Sequence, residues 1–126
     1  MSGFSTDVCV PISRLADCVT ETIEDAKRIG IVAPIVGHVG DGNFHSGPMF
    51  DPNDPEDVAR AKTFVERLVR RGLEMGGTCT GEHGVGQAKI KYMNEEHSPE
   101  TLNVMRAIKR ALDPQNIMNP GKVLDA

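Results

Sequence analysis

The chain has 126 residues, of which 39% are hydrophobic and 25% charged, with 14 Lys and Arg against 18 Asp and Glu and a net charge of −4. That length suits one domain with a modest core and is too short for two. The only aromatics are Phe4, Phe44, Phe50, Phe64 and Tyr92, so aliphatic side chains must fill that core.

Nucleic-acid binding is not expected: the basic residues are scattered apart from Arg67, Arg70 and Arg71, and no aromatic stacking platform accompanies them. No run of about 18 apolar residues occurs, and the N-terminus lacks a charged-then-apolar pattern. The expectation is therefore a cytoplasmic protein, or one in a comparably reducing compartment. Cys9, Cys18 and Cys79 are odd in number and form no Cys-x-x-Cys pair, which argues against a disulfide scaffold or a zinc knuckle. Cys9 and Cys18 read as small buried hydrophobes.

Residues 6–12, TDVCVPI, alternate and carry β-branched side chains, which predicts a strand. Ser13 can cap a helix over 14–29, in which Leu15, Cys18, Val19, Ile23, Ala26 and Ile29 recur at helical spacing before Gly30. IVAPIVGHV and NFHSGPMF then flank Asp41-Gly42 and predict a hairpin. Asp54 as cap and Pro55 at the first helical position open a second helix with a stripe of Val58, Ala61, Val65, Leu68, Val69 and Leu73, stopped by Gly76-Gly77. A short extended segment, TCTGEHG, leads to a third helical region. Ser98-Pro99 starts a last helix with Leu102, Met105, Ile108 and Leu112 inward, Asp113-Pro114 ends it, and the tail is irregular. The order strand, helix, hairpin, helix, strand predicts an α+β, ferredoxin-like sandwich with additional C-terminal helices.

The chemistry concentrates in GHVGDGNFH, residues 37–45, and GTCTGEHGVG, residues 77–86. With Asp41-Gly42 as a two-residue turn, each cross-strand pair sums to 83, so His38 opposes His45 on one side of the ribbon, roughly 5 Å apart at Cβ. Glu82 supplies a third ligand. Two imidazoles and a carboxylate suit zinc, manganese or iron(II) and leave open positions, the mark of a catalytic rather than a structural site. Cys79 belongs on the face opposite Glu82, and His97 before a helix cap belongs in solvent.

Asp41 has a sufficient local reason as a turn residue. Asn43, beside it, either holds a ligand or cofactor or satisfies the loop. Glu82 and His83 are adjacent and can serve one site only where the backbone bends, which Gly81, Gly84 and Gly86 permit. His83 is then a general base near the metal, or alternatively a partner that orients a ligand. Neither run has the full G-x-G-x-x-G or Walker spacing, and no G-x-S-x-G elbow occurs.

GHVGDGNFH, GGTCTGEHGVG and ALDPQNIMNPGKV together resemble the C-terminal domain of the FAD-linked oxidases of the vanillyl-alcohol-oxidase type, over nearly the whole chain from TDVCVPISRL onward. The likeness is nearest to the members that dehydrogenate D-lactate, and extends to those acting on D-2-hydroxyglutarate and glycolate. The resemblance implies a metal held by His38, His45 and Glu82 that grips a small D-2-hydroxy acid. It also implies that His83 takes the hydroxyl proton while hydride passes to FAD, and that an acceptor such as a cytochrome or quinone takes the electrons. Asn119 and Lys122, in NPGK, would lie in a tail returning toward the flavin, with Asn43 a third cofactor candidate; a plain turn closing the chain is the other reading of NPGK. Such enzymes bind FAD mainly through a separate N-terminal domain. The resemblance therefore makes residues 1–126 a C-terminal fragment that depends on an FAD-binding domain or subunit, with the arginine that clamps the substrate carboxylate elsewhere. Gly47 stands where some relatives carry a polar substrate contact. Two other readings stay open: a self-sufficient metallohydrolase using the same cation, and a non-catalytic interaction domain that self-associates into a homo-oligomer.

Overall fold

The computed structural model describes residues 1–125. Its elements run β1 (Ser2–Gly3), β2 (Val8–Cys9), α1 (Leu15–Ile29), β3 (Ile35–His38), β4 (Asn43–Ser46), β5 (Met49–Phe50), α2 (Pro55–Glu74), α3 (Ile90–Glu96) and α4 (Pro99–Leu112). The fold is α+β, as expected. Strand β4 lies between β2 and β3 in an antiparallel sheet, β1 pairs with β5, and a single antiparallel bridge joins Cys9 to Thr78. The resulting order, residue 78, β2, β4, β3, is the interleaved arrangement of a ferredoxin-like sheet whose last strand has shrunk to one bridge.

The chain forms two compact units, Met1–Glu82 and the residues from His83 onward. In the first, α1 and α2 pack together and α2 lies against β2 and β5, burying Val8, Cys18, Phe44, Phe64 and Leu68. The expected ends hold for the start of α2 and the end of α1, but Ser13 does not cap α1: it lies in a 3-10 turn, Ile12–Arg14, and the N-cap position falls on Arg14, which makes no side-chain capping bond. Asp54 accepts from the Glu56 N–H at 2.9 Å, Pro55 occupies the first helical turn, and α1 ends on Gly30, whose N–H bonds back to the Ala26 carbonyl at 3.0 Å.

The inward face of α1 differs from the expected apolar stripe. Ile23 is 42% exposed, while Thr22 and Asp25 are buried. The cause is α2, which presents guanidiniums there. Arg67 Nε donates to Asp25 Oδ2 at 2.7 Å, and Arg71 donates to Asp25 Oδ2 and Thr22 Oγ1, both at 3.0 Å. A buried carboxylate stands because its lone pairs are taken by donors of opposite charge. Burial raises the Asp25 pKa, but the hydrogen bonds from Arg67 and Arg71 outweigh it, and the net direction is down.

The second unit has a core of Met93, Leu102 and Leu124, with Val85 and Met105 packed against it. Ser98 caps α4 by accepting from the Thr101 N–H at 3.3 Å. Ile108 and Leu112, expected inward, are 55% and 77% exposed. Their spacing puts them on one helix face with Leu102 and Met105, but so small a core covers only the first half of that face. No helix among the described residues is long and apolar enough to cross a membrane.

Candidate metal and substrate site

The hairpin register is not the one predicted. His38 pairs with Asn43, Gly37 with Phe44 and Val36 with His45, so partners sum to 81 rather than 83. Residues Val39–Asp41 form a 3-10 turn closed by Gly42, which takes φ +75 and donates its N–H to the Val39 carbonyl at 3.3 Å. The Asp-Gly pair is therefore the end of a four-residue connection and not a two-residue turn. Tertiary contact explains the choice: Gly42 accepts from the Val10 N–H at 3.0 Å, and a Cβ at Gly42 would stand 2.2 Å from the Val10 carbonyl oxygen. Only glycine fits so close an approach at positive φ.

The shift is two residues, which preserves the face; a one-residue slip would have reversed it. His38 and His45 are consequently diagonal neighbours rather than opposed ones, with ring centroids 6.3 Å apart at 90°. Glu82 closes the group. Its Oε1 lies 2.9 Å from His45 Nε2 and its Oε2 3.7 Å from His38 Nε2. One ligand atom from each of the three residues falls within 4.8 Å of the others, so His38, His45 and Glu82 could hold one metal ion. The His38 and Glu82 side chains are 63% and 46% exposed and that of His45 only 17%, so the group is rooted on one side and open on the other.

Segment 77–82 reaches this place through Gly81. A Cβ there would stand 2.1 Å from Asn43 Nδ2 and 3.0 Å from Asp7 Oδ1, so the bare backbone lets the chain lie against β4 and the residues before β2. His45 Nδ1 is 2.9 Å from the Thr6 carbonyl, which fixes the ring and turns Nε2 toward Glu82.

Asp7 and Thr6 are the functional neighbours that the strand reading of residues 6–12 passed over. Thr6 Oγ1 accepts from the Ser46 N–H at 2.7 Å and donates to the Ser46 carbonyl at 2.8 Å. Asp7 accepts from Asn43 Nδ2 at 2.8 Å and from the Glu82 N–H at 2.8 Å. A signal for Asp7 existed, since aspartate is depleted in strands and this one opens a strand of valines. Asn43 is buried. Its Nδ2 also donates to the Val8 carbonyl at 3.1 Å, and its Oδ1 has no hydrogen-bond partner among the described residues.

Beside His45 opens a groove of about 410 Å³, whose lining includes Phe4, Thr6, Ile35, Val36 and Gly47. Cys18 and Cys79 are fully buried and Cys9 is half-buried, its thiol donating to the Asp41 carbonyl at 3.3 Å; burial, then the Asp7 and Asp41 charges, push that thiol pKa up. His83 is exposed and begins the second unit. In that unit Asn119 and Lys122 line a separate hollow of about 220 Å³ with Lys109 and Met118, and Asn119 adopts φ +49 in the turns of the tail.

Comparison with known proteins places these observations. The family model described as FAD linked oxidases, C-terminal domain, matches residues 1–123. A Danio rerio protein named "Probable D-lactate dehydrogenase, mitochondrial" is 55% identical over 98% of this chain and 25% of its own length. The Arabidopsis thaliana "D-lactate dehydrogenase [cytochrome], mitochondrial" is 44% identical over 94% of this chain and 21% of its own. Among solved structures, 4-ethylphenol oxidase from Gulosibacter chungangensis superposes with a TM-score of 0.65 at 24% identity, covering 96% of this chain and 24% of that one, which supports the fold. The chain thus spans about a quarter or less of the length of these relatives.

The expectation of a cytoplasmic protein is overturned, because both relatives are named as mitochondrial. The physical reason is that composition and cysteine spacing carry no compartment address. A targeting segment is an address read by a receptor and leaves no trace in the fold it delivers.

Proposed function

Because the chain belongs to the FAD-linked oxidase family through its C-terminal domain, we propose that it is the metal- and substrate-binding portion of an FAD-dependent D-2-hydroxy-acid dehydrogenase of the D-lactate dehydrogenase type. The observation that carries this reading is the convergence of His38, His45 and Glu82 within 4.8 Å on the exposed side of the sheet. Two nitrogens and a carboxylate oxygen fit a divalent zinc, manganese or iron ion, and three protein ligands leave room for substrate oxygens. A metal bound there supplies Lewis-acid stabilisation of a developing alkoxide. FAD, held mainly by a domain or subunit outside these 126 residues, supplies the hydride acceptor.

The chain's own residues supply the rest. His38, His45 and Glu82 would hold the ion, and the carbonyl of Thr6 turns His45 Nε2 toward Glu82. His83 accepts the proton of the substrate hydroxyl oxygen. Asn43, Asn119 and Lys122 are the candidates for contacts to the cofactor, and the groove beside His45 receives the body of a small hydroxy acid. The cytochrome in the name of the Arabidopsis relative suggests the class of electron acceptor, and the names of both relatives suggest a mitochondrial address.

The test uses the purified 126-residue chain. Its zinc content and visible flavin absorbance are measured alone and after addition of a separately prepared FAD-binding portion of a relative. Metal without flavin, with D-lactate oxidation restored by the partner, supports the reading. His45→Ala should abolish metal binding with secondary structure intact. Unchanged metal content in that variant, or hydrolytic turnover by the chain alone, would refute it.

A further inference from the structure

Asp7 is one residue before β2, and its side chain is fully buried at 0% exposure. Burying an ionised carboxylate is costly unless every lone pair is engaged, and here both oxygens are. Oδ1 accepts from Asn43 Nδ2 at 2.8 Å and stands 3.7 Å from His45 Nδ1. Oδ2 accepts from the Glu82 N–H at 2.8 Å and from Thr80 Oγ1 at 3.3 Å. A single side chain thus touches or faces two of the three metal-ligand residues and the segment that delivers one of them.

We infer that Asp7 is a positioning residue for this site: it clamps the backbone of Glu82 and, beside the Thr6 carbonyl, borders His45 Nδ1, so that Nε2 is the ring nitrogen turned toward the site. The inference rests on the metal reading above. Glu82 lies beyond the last bridge of its segment, at Thr78, so sheet pairing does not hold it. The two bonds to Asp7 Oδ2, from Thr80 and Glu82, take the place of that pairing. At His45, Nδ1 is within hydrogen-bond distance of the Thr6 carbonyl at 2.9 Å, while the Asp7 oxygen at 3.7 Å is too far to accept. The Thr6 contact turns Nε2 toward Glu82, the arrangement in which ligand histidines are commonly oriented by a carbonyl or carboxylate.

Asp7→Asn keeps the size of the side chain but loses an acceptor, setting an N–H donor against either Glu82 N–H or Asn43 Nδ2. In the full chain, zinc affinity is read by competition with a chromophoric chelator, and the unfolding midpoint of the metal-free protein is read alongside. Zinc affinity should fall about 10- to 100-fold in Asp7→Asn, as is typical when a group supporting a metal ligand is lost. A role confined to stability would lower the midpoint and leave the affinity of the folded protein unchanged, and an affinity within about threefold of wild type overturns the inference while the metal site stands. Wild-type protein that binds no zinc overturns both. Should Asp7→Asn not fold, the Glu82 amide decides in the wild-type, metal-free chain. Its hydrogen exchange should be slowed by the bond to Asp7 Oδ2, and exchange at the rate of an unprotected amide would overturn the inference.

Discussion

Gly81 is the position at which the smallest change should do most harm to the site. A Cβ there would lie 2.1 Å from Asn43 Nδ2, whereas carbon comes to rest on a neighbour at about 3.5 Å, so one side must yield by about 1.4 Å. Asn43 is 5% exposed and pinned by bonds to Asp7 at 2.8 Å and to the Val8 carbonyl at 3.1 Å, so it has nowhere to go. The retreat falls on residues 80–82. It breaks the Glu82 N–H bond to Asp7 and draws the Glu82 carboxylate away from His45 Nε2, 2.9 Å distant. Gly81→Ala should therefore weaken zinc binding about 10- to 100-fold and cost about 1–3 kcal/mol of stability. Gly40→Ala is the control, because no atom lies within 4 Å of a Cβ there; its zinc affinity should match wild type. Chelator competition and thermal unfolding of the metal-free protein measure both quantities. A folded Gly81→Ala protein whose zinc affinity stays within about threefold of wild type would refute the packing argument.

Asp25→Ala should destabilise the first unit by about 3 kcal/mol, the low end for orphaning a buried ion pair, because Arg67 is 46% exposed and can rehydrate while Arg71 keeps Glu21 at 3.4 Å. At a urea slope of about 2 kcal/mol per M this lowers the midpoint by about 1.5 M, and a shift within error would show the cluster to be inert. The folded-state pKa of Asp25 lies below its unfolded value. Its contribution is thus fully present above about pH 4 and is lost as pH falls through the folded pKa, so Asp25→Ala and wild type should converge in stability in strong acid. Asp113 follows the same sign: the Lys109 ammonium, then the Met118 and Ile117 N–H groups, hold its carboxyl below the usual range against burial. Hydrogen exchange of the Ile117 and Met118 amides should be slow at neutral pH and accelerate, beyond the intrinsic acid dependence, in Asp113→Ala; equal exchange in both proteins would remove Asp113 as the tie on the tail.

Much of the molecule is legible from local signals alone. Asp54-Pro55, Ser98-Pro99 and Gly30 mark helix ends through bonds made within one turn, and those helices start or stop there. The two glycine-rich runs identify three residues that the fold brings together, and the family is readable from the same motifs. What the sequence does not decide depends on partners far along the chain. The hairpin register follows from Gly42 seating against Val10, which no two-residue turn rule contains. The burial of Thr22 and Asp25 in place of Ile23 follows from arginines on another helix, and the exposure of Ile108 and Leu112 follows from how little core their unit has. Periodicity states which residues share a face, but only packing states what covers it. The site itself shows the division. Sequence marked His38, His45 and Glu82, which the fold brings together, while Asp7, 75 residues from Glu82, joined them only when the chain folded, because a buried carboxylate is satisfied by whichever donors the tertiary structure brings to it.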